Sequence, residues 1–134
     1  MKSILLIGVN HLGTMIAERM QNLGHEVMAV DLDEERINEI QDVVTDAQIG
    51  DAANEGFLRS LGVNNYDICF VTVADDFESS LITTMLLKKL GARRVIARAN
   101  REIQETLLLR NGADEVICPE KLAAEWVVNR FGRG

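Results

Sequence analysis

The chain has 134 residues, of which 47% are hydrophobic and 26% charged, with a formal net charge of −7. That length makes one domain with room for a proper core, and no apolar run approaches the length that crosses a bilayer. The acidic balance argues against nucleic acid or an anionic membrane surface as the main partner.

The first thirty-odd residues carry the most information. Ser3-Ile4-Leu5-Leu6-Ile7 is a short apolar run that breaks at Gly8-Val9-Asn10-His11-Leu12-Gly13. A helical pattern over 12–23 follows, closed by Gly24, and a second strand over 26–31 ends at Asp31. Strand, tight turn, helix, strand and acid form the layout of a nucleotide-binding βαβ unit. A helix N-terminus presents unpaired N–H groups and a positive dipole end, which attract phosphate. Gly8 and Gly13 suit the tight turn and close helix–strand packing. Asn10 stands where a middle glycine is usual; it tolerates positive φ, and its side chain is expected to intrude where a pyrophosphate sits. Asp31 falls 18 residues after Gly13, near the usual spacing of about twenty for a carboxylate on ribose hydroxyls. A carboxylate there repels a 2′-phosphate and disfavours NADP. His11 either touches phosphate or is an exposed loop residue.

Beyond this unit the pattern alternates without repeats or low-complexity stretches. Strands are expected at 3–8, 26–31, 44–49, 67–72, 94–98 and 114–117. Helices are expected near 12–23, 33–40, 52–60, 76–90, 101–110 and 119–131. Strict alternation with short connections implies a Rossmann-like, doubly wound, parallel six-stranded sheet in the order 3-2-1-4-5-6. The ligand crevice then lies at the switch point between the first and fourth strands. Leu81, Met85, Leu86 and Leu90 read as the core-facing stripe of the fourth helix.

Three further strand ends point toward that crevice. Gly50-Asp51-Ala52 follows the third strand, where Asp51 either accepts from an adenine amine or caps a helix. Thr72-Val73-Ala74 ends the fourth strand with small residues that leave room for a ligand, and Asp75 or Asp76 caps the helix beyond. Arg98, flanked by alanines, ends the fifth strand and suits a phosphate or carboxylate. Glu120, after Pro119, sits in the first turn of the last helix. That helix carries Leu122, Trp126, Val127 and Phe131, a stripe that either packs on its own sheet or forms a dimer surface. Charge divides along the chain, net −9 over residues 1–92 and +2 over 93–134. Cys69 and Cys118 sit in apolar settings outside any C-x-x-C pair. They read as buried reduced thiols, consistent with a cytoplasmic protein.

Taken together these residues resemble the N-terminal nucleotide-binding subdomain of the RCK family, also called KTN or TrkA-N domains. The resemblance rests on the 8–13 turn, Gly24-His25-Glu26-Val27, Val30-Asp31, Gly50-Asp51-Ala52, Leu81 to Gly91, Arg98, and Gly112-Ala113-Asp114 through Pro119-Glu120. It implies a cytoplasmic regulator of a membrane potassium channel or transporter subunit, peripheral to the membrane and not inserted in it. It also implies a homodimer able to build larger rings, and a site for NAD(H) or an adenine nucleotide such as AMP, ADP or ATP. On the matching positions, the turn residues Gly8, Val9, Asn10, His11, Leu12 and Gly13 line the phosphate side and Asp31 with Leu32 the ribose. Asp51 and Ala52 take adenine; Thr72, Val73, Ala74 and Arg98 take phosphates; Glu120 lies near phosphates or a cation at the dimer interface. Residues 118–134 match a crossover helix that packs on a partner. The whole chain, 1–134, matches this one domain, with the family's C-terminal ligand-binding subdomain outside it. His11 departs from the Arg of many relatives.

Two other functions compete with this one. One is an NAD-binding oxidoreductase fragment, against which Tyr66 lacks a lysine four residues on and no substrate domain follows. The other is a dimerisation module with a vestigial nucleotide site.

Overall fold

A computed structural model describes residues 1–134. Six parallel strands form one sheet in the order β3-β2-β1-β4-β5-β6. They span Ser3–Ile7 (β1), Glu26–Asp31 (β2), Asp46–Ile49 (β3), Ile68–Val71 (β4), Val95–Arg98 (β5) and Glu115–Ile117 (β6). The helices are His11–Asn22 (α1), Glu34–Ile40 (α2), Glu55–Leu61 (α3), Phe77–Lys89 (α4), Glu102–Arg110 (α5) and Pro119–Phe131 (α6). This is the expected order, and the direction of the chain reverses between β1 and β4, at the expected switch point.

The sheet has a core on each face. Ile4, Leu6, Val27 and Ala29 meet Ala17 of α1 and Ile37 and Ile40 of α2 on one side. Leu5, Ile7, Cys69, Val71 and Val95 meet Leu58, Leu87 and Leu108 of α3, α4 and α5 on the other. Alternate residues of β1 therefore face opposite cores, which is why its sequence shows no polar alternation. β4 is buried along its whole length for the same reason.

Capping moved several expected boundaries. Asn54 caps α3 through Phe57 N–H, so α3 starts at Glu55 and residues 52–54 form a turn. Asp76 caps α4 through Ser79 N–H. A short 3₁₀ turn at Val63–Asn65, not expected from the sequence, leads into β4. On α4 the fully buried face is Ser80, Thr83, Thr84 and Leu87. Leu81, Leu86 and Leu90 only flank that core, and Met85 is 46% exposed. The stripe expected on α4 is thus rotated toward small hydroxyl residues, which let the helix lie close to the sheet.

Two carboxylates clamp the amino ends of the strands. Asp67, just before β4, accepts from Ser3 N–H at 2.8 Å. Asp114, just before β6, accepts from Val95 N–H at 2.7 Å and from Lys88. The Ser3 amide and hydroxyl hold Asp67 below its ordinary value of 3.8 against a small opposing effect of burial. Burial pushes Asp114 up, but Val95 N–H and Lys88 outweigh it, and its carboxyl also ends below 3.8. A depressed carboxyl contributes stability above its unfolded pKa and loses it as pH falls through the folded one. Asp67→Asn with Asp114→Asn should therefore lower the melting temperature at neutral pH. The gap to wild type should close as pH falls from roughly 4 to 2. Melting curves across that range would show it; a gap independent of pH would contradict the clamp.

Candidate functional site

Three strand ends and one turn are laced together at the carboxyl edge of the sheet. Gly8 N–H donates to Val30 O at 2.9 Å, Gly50 N–H to Asp31 O at 3.0 Å and Thr72 N–H to Ile7 O at 2.8 Å. These bonds continue the strand pairing past the strands and fix the loops around a crevice.

The turn after β1 depends on its two glycines. Gly8 has φ +104°, a conformation open to glycine and costly for other residues. Gly13 has no such φ; its need is space. A Cβ on Gly13 would lie 1.9 Å from Gly8 O and 2.8 Å from Thr72 Oγ1. The first turn of α1 therefore presses directly on the β1 turn, and the first amides of the helix, which have no partner within it, face the crevice mouth.

Asn10 behaves differently from the sequence expectation. Its φ is −86°, and no residue other than glycine has positive φ. Its Oδ1 caps α1 by accepting from Gly13 N–H at 2.9 Å, and its Nδ2 donates to Thr72 O. Both polar atoms are thus spent inside the turn. Asn10 lines the crevice, but its amide is drawn toward the protein and away from the place a pyrophosphate would take.

Thr72 is also corrected. It is buried, and its hydroxyl donates to Gly8 O at 2.6 Å, with Ile7 O at 3.0 Å as the alternative acceptor. It is a strut between β4 and the glycine turn and does not offer its hydroxyl to a ligand.

Asp31 does end β2 at the crevice. Its Oδ2 accepts from Val9 N–H at 2.7 Å and its Oδ1 from Asp33 N–H at 2.9 Å. Arg36 Nη1 stands 3.6 Å from the same carboxylate, and Arg36 Nε 3.9 Å from Asp33. A carboxylate oxygen has two lone pairs, so each keeps capacity for a ribose hydroxyl. Asp51 does not cap α3; its Oδ1 accepts from Ala53 N–H within the turn.

The crevice encloses about 420 Å³ between Gly8 and Asn10, the β2 end at Val30–Asp33, the β3 end at Gly50–Ala52 and the α4 start at Val73–Thr83. It gathers Gly8, Asn10, Asp31, Leu32, Asp51, Ala52 and Val73 from the expected set. Val9 is buried behind the turn. His11, Leu12 and Gly13 do not line the crevice, although they form the helix end beside it. Ala74 and Arg98 face a separate hollow with Phe77, Asn100 and Gln104. Glu120 lies at a third hollow beside Cys118 and Glu105, at the foot of α6. Arg98 and Glu120 are therefore not brought together with Asp31 within this chain.

Arg36, Asp33, Ser79 and Thr83 line the crevice without having been expected there. Arg36 was legible: it sits three residues after the α2 cap Asp33, and helical side chains lean back toward the N-terminus. The lining carries five aspartates (Asp31, Asp33, Asp51, Asp75, Asp76) and one cation, Arg36.

Neither thiol belongs to this site. Burial pushes Cys69 up to about 12. Cys118 is only half-buried, not buried as expected; burial and then the adjacent Glu105 carboxylate raise it. A thiol with a raised pKa is a poor nucleophile at neutral pH.

Helix α6 buries nothing. Leu122, Trp126, Val127, Val128 and Phe131 are all exposed, Trp126 at 61% and Phe131 at 72%. The Trp126 and Phe131 rings meet edge to face at 6.2 Å. Of the two expectations for this helix, packing on its own sheet is excluded. No helix of the chain is long and apolar enough to cross a membrane.

Known proteins match this geometry. Ktr system potassium uptake protein C of Bacillus subtilis (strain 168) is 33% identical over 97% of the chain, and the chain covers 59% of that protein. Ktr system potassium uptake protein A of the same organism is 35% identical over 90% of the chain and 54% of its own length. The chain thus spans a little over half of these relatives. Among solved structures, the TrkA-N domain of inner membrane protein ybaL from Escherichia coli superposes with a TM-score of 0.85 at 17% identity, covering 97% of this chain and 96% of that one. The GsuK channel bound to NAD gives 0.83 at 13% identity over 94% of this chain and 23% of that one. The Shewanella denitrificans Kef CTD in its AMP-bound form gives 0.77 at 17% identity over 97% and 80%. At these identities the structural likeness speaks for the fold. The sequence pattern described as the TrkA-N domain matches residues 4–119, and with it the chain belongs to the TrkA-N domain family.

Proposed function

We propose that this chain is a nucleotide-sensing regulatory domain, without catalytic activity of its own, that controls potassium transport by a membrane channel or transporter subunit. The observation that carries the reading is the crevice itself. A glycine-pinned turn holds the α1 N-terminus beside the Asp31 carboxylate on the neighbouring strand, which is the geometry for a phosphate next to a ribose. Relatives named for potassium uptake support the transport role. Neighbours of the same fold bound to NAD and AMP support an adenine nucleotide as ligand. NADP is disfavoured, because Asp31 faces the ribose position and its neighbour Arg36 is already held between Asp31 and Asp33. Binding acts on a partner only if the ligand prefers one arrangement of the domain over another. The exposed α6 face gives that arrangement a physical seat. It is the surface for a second copy of this chain, and the location is the cytoplasmic side of the membrane through the partner subunit.

The test is calorimetric titration of AMP, NAD and NADP into the wild type and Asp31→Ala. Saturable binding of AMP and NAD, with weaker NADP, is the expected result. Asp31→Ala should weaken AMP and NAD by roughly tenfold or more, the loss of hydrogen bonds to a charged acceptor. Circular dichroism would verify that the variant remains folded, since Asp31 also holds Val9 N–H and Asp33 N–H. No saturable binding of either nucleotide to the wild type would remove the sensing role.

A further inference from the structure

The five carboxylates of the crevice are not equally compensated. On the side toward β2 and α2, Asp31 and Asp33 share Arg36 at 3.6 and 3.9 Å. Across the glycine turn, on the side toward β4 and α4, stand Val73, Asp75, Asp76, Ser79 and Thr83. No cation reaches the crevice there. Asp75 makes no ion pair or hydrogen bond, and the nearest positive group by topology, Arg98, lines the separate hollow behind it. The positive end of α4 is met by its own cap, since Asp76 Oδ1 accepts from Ser79 N–H at 3.1 Å. The crevice therefore has two limbs either side of the phosphate turn: one neutralised by Arg36, one left acidic and lined with hydroxyl and carboxylate acceptors.

We infer that the crevice selects a dinucleotide and rejects a nucleoside triphosphate, with Asp75 and Asp76 as the residues that discriminate. The inference rests on the nucleotide-binding reading above. With adenosine in the limb of Asp31 and Arg36, phosphates follow at the α1 N-terminus, and what comes next enters the acidic limb. A second nucleoside brings ribose hydroxyls and a base, which donate hydrogen bonds to carboxylates and hydroxyls. A terminal phosphate brings acceptors only, and a triphosphate carries roughly twice the negative charge of a dinucleotide's pyrophosphate diester. It meets two carboxylates with no cation between. Specificity here comes from an unfavourable contact for the wrong ligand as much as from good contacts for the right one.

Titrations of NAD, ATP and AMP into the wild-type chain and into Asp75→Asn/Asp76→Asn test this. They are run at low and high ionic strength, with ATP measured both in EDTA and with magnesium. Asparagine keeps the size of both side chains and the cap on α4. At low salt NAD should bind about tenfold more tightly than ATP, a gap set by like charges at an exposed edge. High salt should shrink the gap. The double variant should gain ATP affinity by roughly five- to tenfold while NAD changes by less than about threefold. ATP binding as tightly as NAD, in EDTA or with magnesium, overturns the inference and leaves the sensing role standing. So does a gap that the double variant preserves. Absence of both AMP and NAD binding brings down the sensing role and the inference together.

Discussion

Gly13→Ala should unfold the glycine turn rather than merely perturb it. The added Cβ would lie 1.9 Å from Gly8 O and 2.8 Å from Thr72 Oγ1. Neither neighbour can yield cheaply. Gly8 N–H is tied to Val30 O and Gly8 O receives the Thr72 hydroxyl, which is itself fixed at the end of β4. Overpacking against backbone costs about 3 kcal/mol or more. For a domain of this size the melting temperature should fall by roughly 10 °C or more. Nucleotide binding should fall with it, because α1 can only relieve the contact by moving its N-terminus away from the crevice. Gly56→Ala is the control. Its Cβ would meet only Asn54 Oδ1, at 3.3 Å, within α3. It should change stability by less than about 1 kcal/mol, since a helical glycine gains from alanine. Equal stabilities for the two variants would show that α1 does not press on the turn as described.

Trp126→Ala should dissociate the proposed homodimer without weakening the subunit. An isolated helix of 13 residues is marginal in water. α6 shows a contiguous Leu122, Trp126, Val127 and Phe131 surface with no cover from its own chain. Something must bury that face for the helix to persist, and a second copy presents the same face in return. Truncating a central aromatic anchor of an interface typically costs about 2–4 kcal/mol. The dissociation constant should therefore rise by roughly thirty- to a thousandfold. Sedimentation equilibrium over a concentration series would measure it. Because Trp126 touches no residue of the sheet or its helices, the melting temperature of the monomer should not move. An unchanged dimer would place the interface elsewhere, and a monomeric wild type would end the dimer proposal.

The sequence disclosed what depends on neighbours along the chain. Strand order followed from alternation and uninterrupted apolar runs, as in β1 and β4, where both faces are buried. Helix starts were legible to within a residue at α4 and off by three at α3, because Asp51 and Asn54 are both capping residues and only packing chose Asn54. Side-chain direction was the harder matter. Thr72 was expected to face a ligand, but its hydroxyl is committed to Gly8 O, a partner sixty-four residues away in sequence. Asn10 was expected to crowd the phosphates, yet Thr72 O pulls its amide inward. Arg98 ends its strand at the carboxyl edge as expected, but β5 lies one strand beyond the switch point and opens onto a different hollow. Arg36 was missed because attention to strand ends overlooks the first turn of the following helix.

The strand order also dictates when this molecule is safe during synthesis. β1 is the hinge of the sheet. It pairs with β2 on one side and with β4 on the other, and β4 lies some forty residues further along the chain than β2. Until residues 68–71 have emerged, the edge Ile4–Ile7 offers open backbone hydrogen bonds flanked by wholly apolar side chains. An exposed, apolar strand edge invites pairing with another chain. The first sixty residues can form three paired strands and their helices, but they cannot protect that edge. Folding is thus secured by arrival of β4 rather than by completion of the nucleotide-binding βαβ unit with which the chain begins.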